Sequence, residues 1–186
     1  MNPVVRFTGL SRVLHWTMAV MILAMLFIGV GMVSTVTERY HLLVDIHRPL
    51  GIAILVLALV RLANRLGHRP PPLPAHLPAV QRAAAHLSHY LLYALMIAMP
   101  LVGWGMLSAQ DYPIQLWGGL HLPPILPADP MLYAWLRRGH TVLAYLLFAT
   151  ILAHIGAALL HGLIHRDGVF TSMASWRGTR TPRSTV

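Results

Sequence analysis

The 186-residue chain contains no cysteine and no lysine, and only five acidic residues. Without cysteine there is no disulfide, no thiolate-held iron–sulfur cluster and no C-x-x-C-H site for covalent c-type haem. Without lysine there is no Schiff base to retinal or to another carbonyl cofactor. Charge is scarce altogether: 10% of the residues are charged and 56% are hydrophobic. A soluble globular domain carries about 25% charged residues. A chain this short and this apolar has too much apolar surface for one water-soluble core, and an integral membrane protein is the class that fits.

Four apolar stretches are candidate spans, at about 13–33, 47–66, 87–109 and 139–164. At a rise of about 1.5 Å per residue, crossing a hydrocarbon core of about 30 Å takes roughly 20 residues. The second stretch reaches that length only if Arg61 and Arg65 snorkel or find partners. The first is too long for the apolar region of a signal peptide and has no small-x-small cleavage site after it, so it reads as a retained anchor helix. The expected fold is all-α: an integral membrane four-helix bundle over residues 1–175, followed by a basic cytoplasmic tail at 176–186. "RPPPLPAHLP" (69–78) reads as an extended loop. The loop at about 110–136, rich in Trp, Leu and Pro, reads as a segment lying on the membrane surface.

All 14 basic residues are arginine, and the formal net charge is +9. Such a charge usually suggests nucleic acid, but topology accounts for it. The side shared by the N-terminus, the 67–86 loop and the tail carries ten arginines against Asp167 alone. The opposite side carries Arg39, Arg48, Arg137 and Arg138 against Glu38, Asp45, Asp111 and Asp129. The positive-inside rule places both termini of a multi-pass protein in the cytoplasm. Membrane lipid is then the expected surrounding, and no nucleic-acid partner is expected.

Histidine is abundant, at 12 residues. His41, His68, His76, His121 and His165 lie outside the spans or at their margins and need no function. The others lie within or at the ends of apolar helices, where an ionisable side chain marks function by default. His140, His154 and His161 share one face of the fourth span, and the first two are separated by about 21 Å along the axis. One helix thus offers ligands at two depths. His15 begins the first span at the level of His154, and His47 begins the second at the level of His140. Two facing imidazoles at each depth can hold haem iron from both sides, leaving no open position and suiting electron transfer. Small residues one turn after the histidines (Gly51, Ala144, Ala158) leave room for a flat ring. Arg48, Arg137 and Arg138 on the outside, and Arg12 and Arg61 on the inside, are candidate contacts for haem propionates. A zinc site would gather its ligands at one depth. A haem-free transporter or channel is the reading from another class, but no span contains an acidic residue and there is no inverted repeat.

The chain resembles the bacterial cytochrome b561 family of four-helix di-haem membrane cytochromes. The resemblance rests on "LHW" (14–16), "IHRPLGI" (46–52), "LVRLANR" (59–65), "AHLSHYLLYALMIAMPLVGW" (85–104) and "HTVLAYLLFATILAHIGAALLHGLIHRDG" (140–168). It implies two non-covalent b haems, with His15 and His154 as axial ligands of the inner one and His47 and His140 of the outer one. It also implies electron transfer from a periplasmic-side donor to ubiquinone or another membrane quinone. The donor is a small anion or a protein, and superoxide oxidation is one activity of the family. Arg137 and Arg138 could steer such an anion. His161, or the pair His86 and His89 that shares a face with Tyr93, could hydrogen-bond the quinone and supply protons. A similar arrangement occurs in the membrane subunits of larger dehydrogenases and hydrogenases; short loops here favour the stand-alone family.

Overall fold

The structure, a computed structural model, describes residues 6–68, 70–74, 77–112, 114–116 and 119–175. His76, Arg69 and the 176–186 tail lie outside the described residues. Four long helices carry the fold: α1 (Gly9–Ser34), α2 (Arg39–Gly67), α3 (Ala79–Ala109) and α4 (Pro130–Leu159). A π-helical turn, Leu160–His165, continues α4, and a short α5 (Val169–Ala174) follows. All four long helices are long and apolar enough to cross a membrane.

Each helix except α1 starts well before the apolar stretch that marks it. Helix α2 begins at Arg39 rather than 47, α3 at Ala79 rather than 87, and α4 at Pro130 rather than 139. Hydropathy locates the part in contact with lipid, whereas caps decide where the helix begins. At α4 the Asp129 carboxylate accepts from the backbone N–H groups of Met131 (2.7 Å) and Leu132 (2.9 Å), and Pro130 needs no partner at the first position. At α1, Thr8 Oγ1 accepts from the Ser11 N–H.

The early start of α4 shortens the 110–136 loop, and the remainder is folded rather than only laid on a surface. Strands β1 (Ile114–Gln115) and β2 (His121–Leu122) form a two-residue antiparallel ladder, the only departure from an all-helical fold among the described residues. Ile114 is buried, and β1 packs on α2. The Ser108 hydroxyl accepts from the Ile125 N–H, and Trp104 Nε1 donates to the Pro123 carbonyl, pinning the loop over the end of α3.

At the opposite end the first and last described segments meet. The Phe7 N–H donates to the Ser172 carbonyl, Trp16 Nε1 to Met173, and the Arg12 guanidinium to the Ser175 carbonyl. The two ends are called the hairpin end and the termini end below.

A core of Met18, Ala58, Tyr93 and Met96 joins α1, α2 and α3. Many large apolar side chains face outward, such as Phe27 at 78% exposure, as a lipid-facing surface requires. Packing within the bundle is uneven. Helix α3 packs extensively on α4, α1 on α2, and α2 on α3; α4 makes no comparable contact with α1 or α2. The loosely packed faces are the ones that carry the facing histidines.

Candidate functional site

The structure brings four of the singled-out histidines together in two pairs. At the termini end the rings of His15 (α1) and His154 (α4) have centres 6.3 Å apart and planes at 69°. At the hairpin end His47 (α2) and His140 (α4) are 6.2 Å apart at 64°. A first-row metal–imidazole bond is about 2.0–2.1 Å and the ring centre lies about 1.2 Å behind the nitrogen, so two imidazoles opposed across one iron have centres about 6.4 Å apart. Both pairs fit that spacing. Hydrogen bonding does not explain the rings' positions: the Nδ1 atoms of His15, His47 and His140 are buried and unbonded. The Met99 carbonyl faces His140 without reaching hydrogen-bond geometry. Among the described residues no three His, Asp or Glu side chains converge as a metal-binding group. Helix α4 makes few contacts with α1 and α2, the helices that carry the other histidine of each pair. The residues present therefore fit haem b at both positions.

At the hairpin end the close approach is made by Gly103 of α3, a residue that sequence reasoning did not single out. A Cβ there would lie 3.3 Å from His140 Cε1, tighter than an ordinary contact. Gly51, by contrast, would meet only the Met25 methyl at an ordinary 3.8 Å. The signal for Gly103 was a glycine inside an apolar helix, but its partner is tertiary and invisible in sequence. Arg48, next to His47, stacks its guanidinium 4.5 Å from the centre of the Tyr112 ring. Arg137 and Arg138 are exposed. Arg137 Nη1 donates to the Tyr133 hydroxyl at 2.9 Å, and Arg138 lies 5.8 Å from the centre of the Trp135 indole.

The termini end is more crowded. His89 of α3 sets its ring 5.4 Å from that of His154, nearly perpendicular to it. Its Nδ1 is 2.7 Å from the Ala85 carbonyl, which accepts from the protonated nitrogen. His86, expected to act with it, is exposed and turns away. The Arg61 guanidinium acts electrostatically on His15, His89 and His154 alike. Arg61 and Arg65 each lie 5.8 Å from the centre of the buried Tyr93 ring, so the charges that interrupt the second apolar stretch turn inward onto an aromatic face. Arg12 is directed to the Ser175 carbonyl and secures α5.

His161 lies in the π-helical turn beyond His154. Its Nδ1 stands 2.6 Å from Asp167 Oδ2, within ion-pairing distance. The other Asp167 oxygen accepts from the Val169 N–H. Burial pushes the Asp167 carboxyl upward, but the hydrogen bonds from His161 and Val169 outweigh it and hold the group below its ordinary range. Left-handed residues, Arg166 and Gly168, turn the chain so that Asp167 folds back under the helix it follows. Sequence reasoning selected His161 but not this clip, because Asp167 is recruited by a turn that hydropathy does not mark.

The family model of the prokaryotic cytochrome b561 matches residues 6–176. Cytochrome b561 homolog 2 of Escherichia coli K12 is 28% identical over 92% of this chain and 93% of its own length. Cytochrome b561 homolog 1 of the same organism is 28% identical over 90% of this chain and 96% of its own. A Yersinia pestis protein named "Probable superoxide oxidase CybB" is 32% identical over 69% of this chain and 72% of its own. Such membership carries haem b binding and membrane electron transfer, and the chain belongs to the prokaryotic cytochrome b561 family.

Proposed function

We propose that this protein is a membrane oxidoreductase that moves electrons from a periplasmic-side donor, with superoxide as the favoured donor, to ubiquinone or another membrane quinone. The observation that carries the reading is the pair of matched histidine couples, 6.3 and 6.2 Å apart, at opposite ends of one bundle. In this reading the arginine-rich termini end faces the cytoplasm and the hairpin end the periplasm of a bacterial inner membrane. Two b haems, when bound, supply one-electron carriers at two depths. His15 with His154, and His47 with His140, would hold the two haems, one at each depth. Arg48 and Arg61 stand beside the pairs as cations for propionates. The resemblance to the Yersinia pestis relative supports superoxide as the donor.

The balance is simple. Each superoxide anion gives up one electron and leaves as dioxygen; two electrons and two protons convert quinone to quinol. Protons are needed where the quinone is reduced, so that site requires a positioned donor. His161 fits the role. Asp167 fixes its Nδ1 and orients the ring, leaving Nε2 to face a quinone carbonyl. His89 is the second candidate, held through Nδ1 at Ala85.

The test uses purified protein in lipid nanodiscs containing ubiquinone. Superoxide should reduce the haems, and quinol should accumulate. His161→Ala should keep both haems and their reduction by superoxide, while reoxidation by quinone slows by about 10²–10⁴-fold. No haem reduction by superoxide would reject the donor, and unchanged reoxidation in the variant would remove His161 from the acceptor site.

A further inference from the structure

Arg137 and Arg138 are left over by the site just described. They lie side by side on α4, within one turn of His140. With Tyr133, Ala134, Thr141 and Val142 they line a groove of about 520 Å³. The face is external: both arginines are exposed, and Trp135, Val142 and Tyr145 are 63%, 64% and 74% exposed. Among the described residues neither guanidinium has a carboxylate within ion-pairing distance. Asp129, the nearest acidic residue in sequence, is occupied in capping α4. The Tyr133 hydroxyl accepts from Arg137 Nη1 and Trp135 flanks Arg138, so both side chains are held by aromatic groups.

The groove is graded along the helix axis. Its upper part is cationic and aromatic, on the turns nearest the hairpin. Its lower part, at Thr141 and Val142, enters the apolar stretch of α4. Aromatic residues of this kind mark the level of the headgroups. We infer that this groove binds an anionic phospholipid in the leaflet at the hairpin end, with Arg137 and Arg138 on the phosphate and an acyl chain over Val142. Two fixed guanidiniums match phosphate oxygens as hydrogen-bond donors and as charge. The apolar floor distinguishes a lipid from a small soluble anion, which needs only the cationic part. The inference does not depend on the proposed donor or acceptor, because the groove includes none of the histidines.

The test is native mass spectrometry of the full haem-loaded protein, released from nanodiscs of phosphatidylglycerol and phosphatidylcholine in equal amounts. The wild-type protein should retain phosphatidylglycerol. At about 1 kcal/mol for each arginine near the surface, the double variant Arg137→Gln/Arg138→Gln should bind it about 30-fold more weakly. A charge-matched control at the other end, Arg82→Gln/Arg166→Gln, should retain it. Val142→Glu, which places a like charge on the floor, should also release it. Equal retention by the Arg137→Gln/Arg138→Gln variant and the wild type would overturn the inference. So would displacement of the lipid by inorganic phosphate at comparable concentration, since the site would then be one for a small anion. Loss of haem from the double variant with lipid retention unchanged would instead assign the two arginines to a propionate.

Discussion

The two ends of the bundle hold histidine pairs of almost the same geometry in different surroundings. Ring separations differ by only a tenth of an ångström and ring angles by a few degrees. Yet the hairpin-end pair has a bare glycine backbone against His140 and one arginine stacked on a tyrosine nearby. The termini-end pair has a third histidine, two inward-facing arginines and a buried tyrosine around it. The shared geometry comes from α4, which contributes one histidine to each pair from a single face. The differences come from α3, which offers Gly103 at one end and His89 at the other, and from α2, which places Arg48 at one end and Arg61 and Arg65 at the other. One helix thus sets the spacing of the ligands, and its neighbours set the surroundings of each pair.

The sharpest way to break this comparison is to remove one ligand from each end. His47→Ala should lose the hairpin-end haem and leave the His15–His154 site loaded, lowering haem content by about half. His15→Ala should do the reverse. Reduced-minus-oxidised spectra and low-temperature paramagnetic resonance of the two variants should sum to the wild type. Loss of the same signal in both variants would show that the ends are not independent. A smaller effect is expected from Gly103→Leu. The branched side chain has no room beside a ring already 3.3 Å from the position of a Cβ, so the signal of the hairpin-end haem should shift or disappear. Gly103→Ala should shift it less, and the termini-end signal should remain as in wild type. A change confined to the termini end would contradict the placement of Gly103.

Much of this site was legible in the sequence because it follows from constants of the helix. The 100° turn and the rise per residue place His140 and His154 on one face at two depths. The alternation of spans then places His47 and His15 opposite them. What was not legible depends on tertiary contact. Gly103 meets His140 from another helix, and Tyr112 reaches Arg48 only because the hairpin folds back. The helix starts were missed for a different reason. Asp129 followed by Pro130 is a cap and first-turn signal written in the sequence, but hydropathy outweighed it. His86 and His89 illustrate the limit of a shared-face argument. They lie three residues apart, yet one faces solvent or lipid headgroups while the other meets His154.

The smallest expected effect concerns the clip that belongs to the termini end alone. Folding lowers the Asp167 pKa. Its contribution is therefore complete above the unfolded value of about 4 and is lost as the pH falls through the lower folded value. A hydrogen bond to a charged group is worth about 1.5–3 kcal/mol. Protection of the Val169 and Ser172 amides, relative to their intrinsic exchange rates, should be constant from neutral pH down to about 4 and fall below it. Asp167→Asn should show the reduced protection at every pH and retain both haems. Identical protection in the variant and the wild type would mean that α5 is held by Arg12 and Trp16 without Asp167.

The central claim is that one short bundle holds two iron sites of the same kind. The most direct measurement is haem per chain, by pyridine haemochrome against amino-acid analysis, combined with the spin state from low-temperature paramagnetic resonance. The proposed reading predicts two haems per chain, both low-spin and six-coordinate. One haem per chain, or a high-spin five-coordinate signal at full loading, would contradict the pairing of His15 with His154 and of His47 with His140.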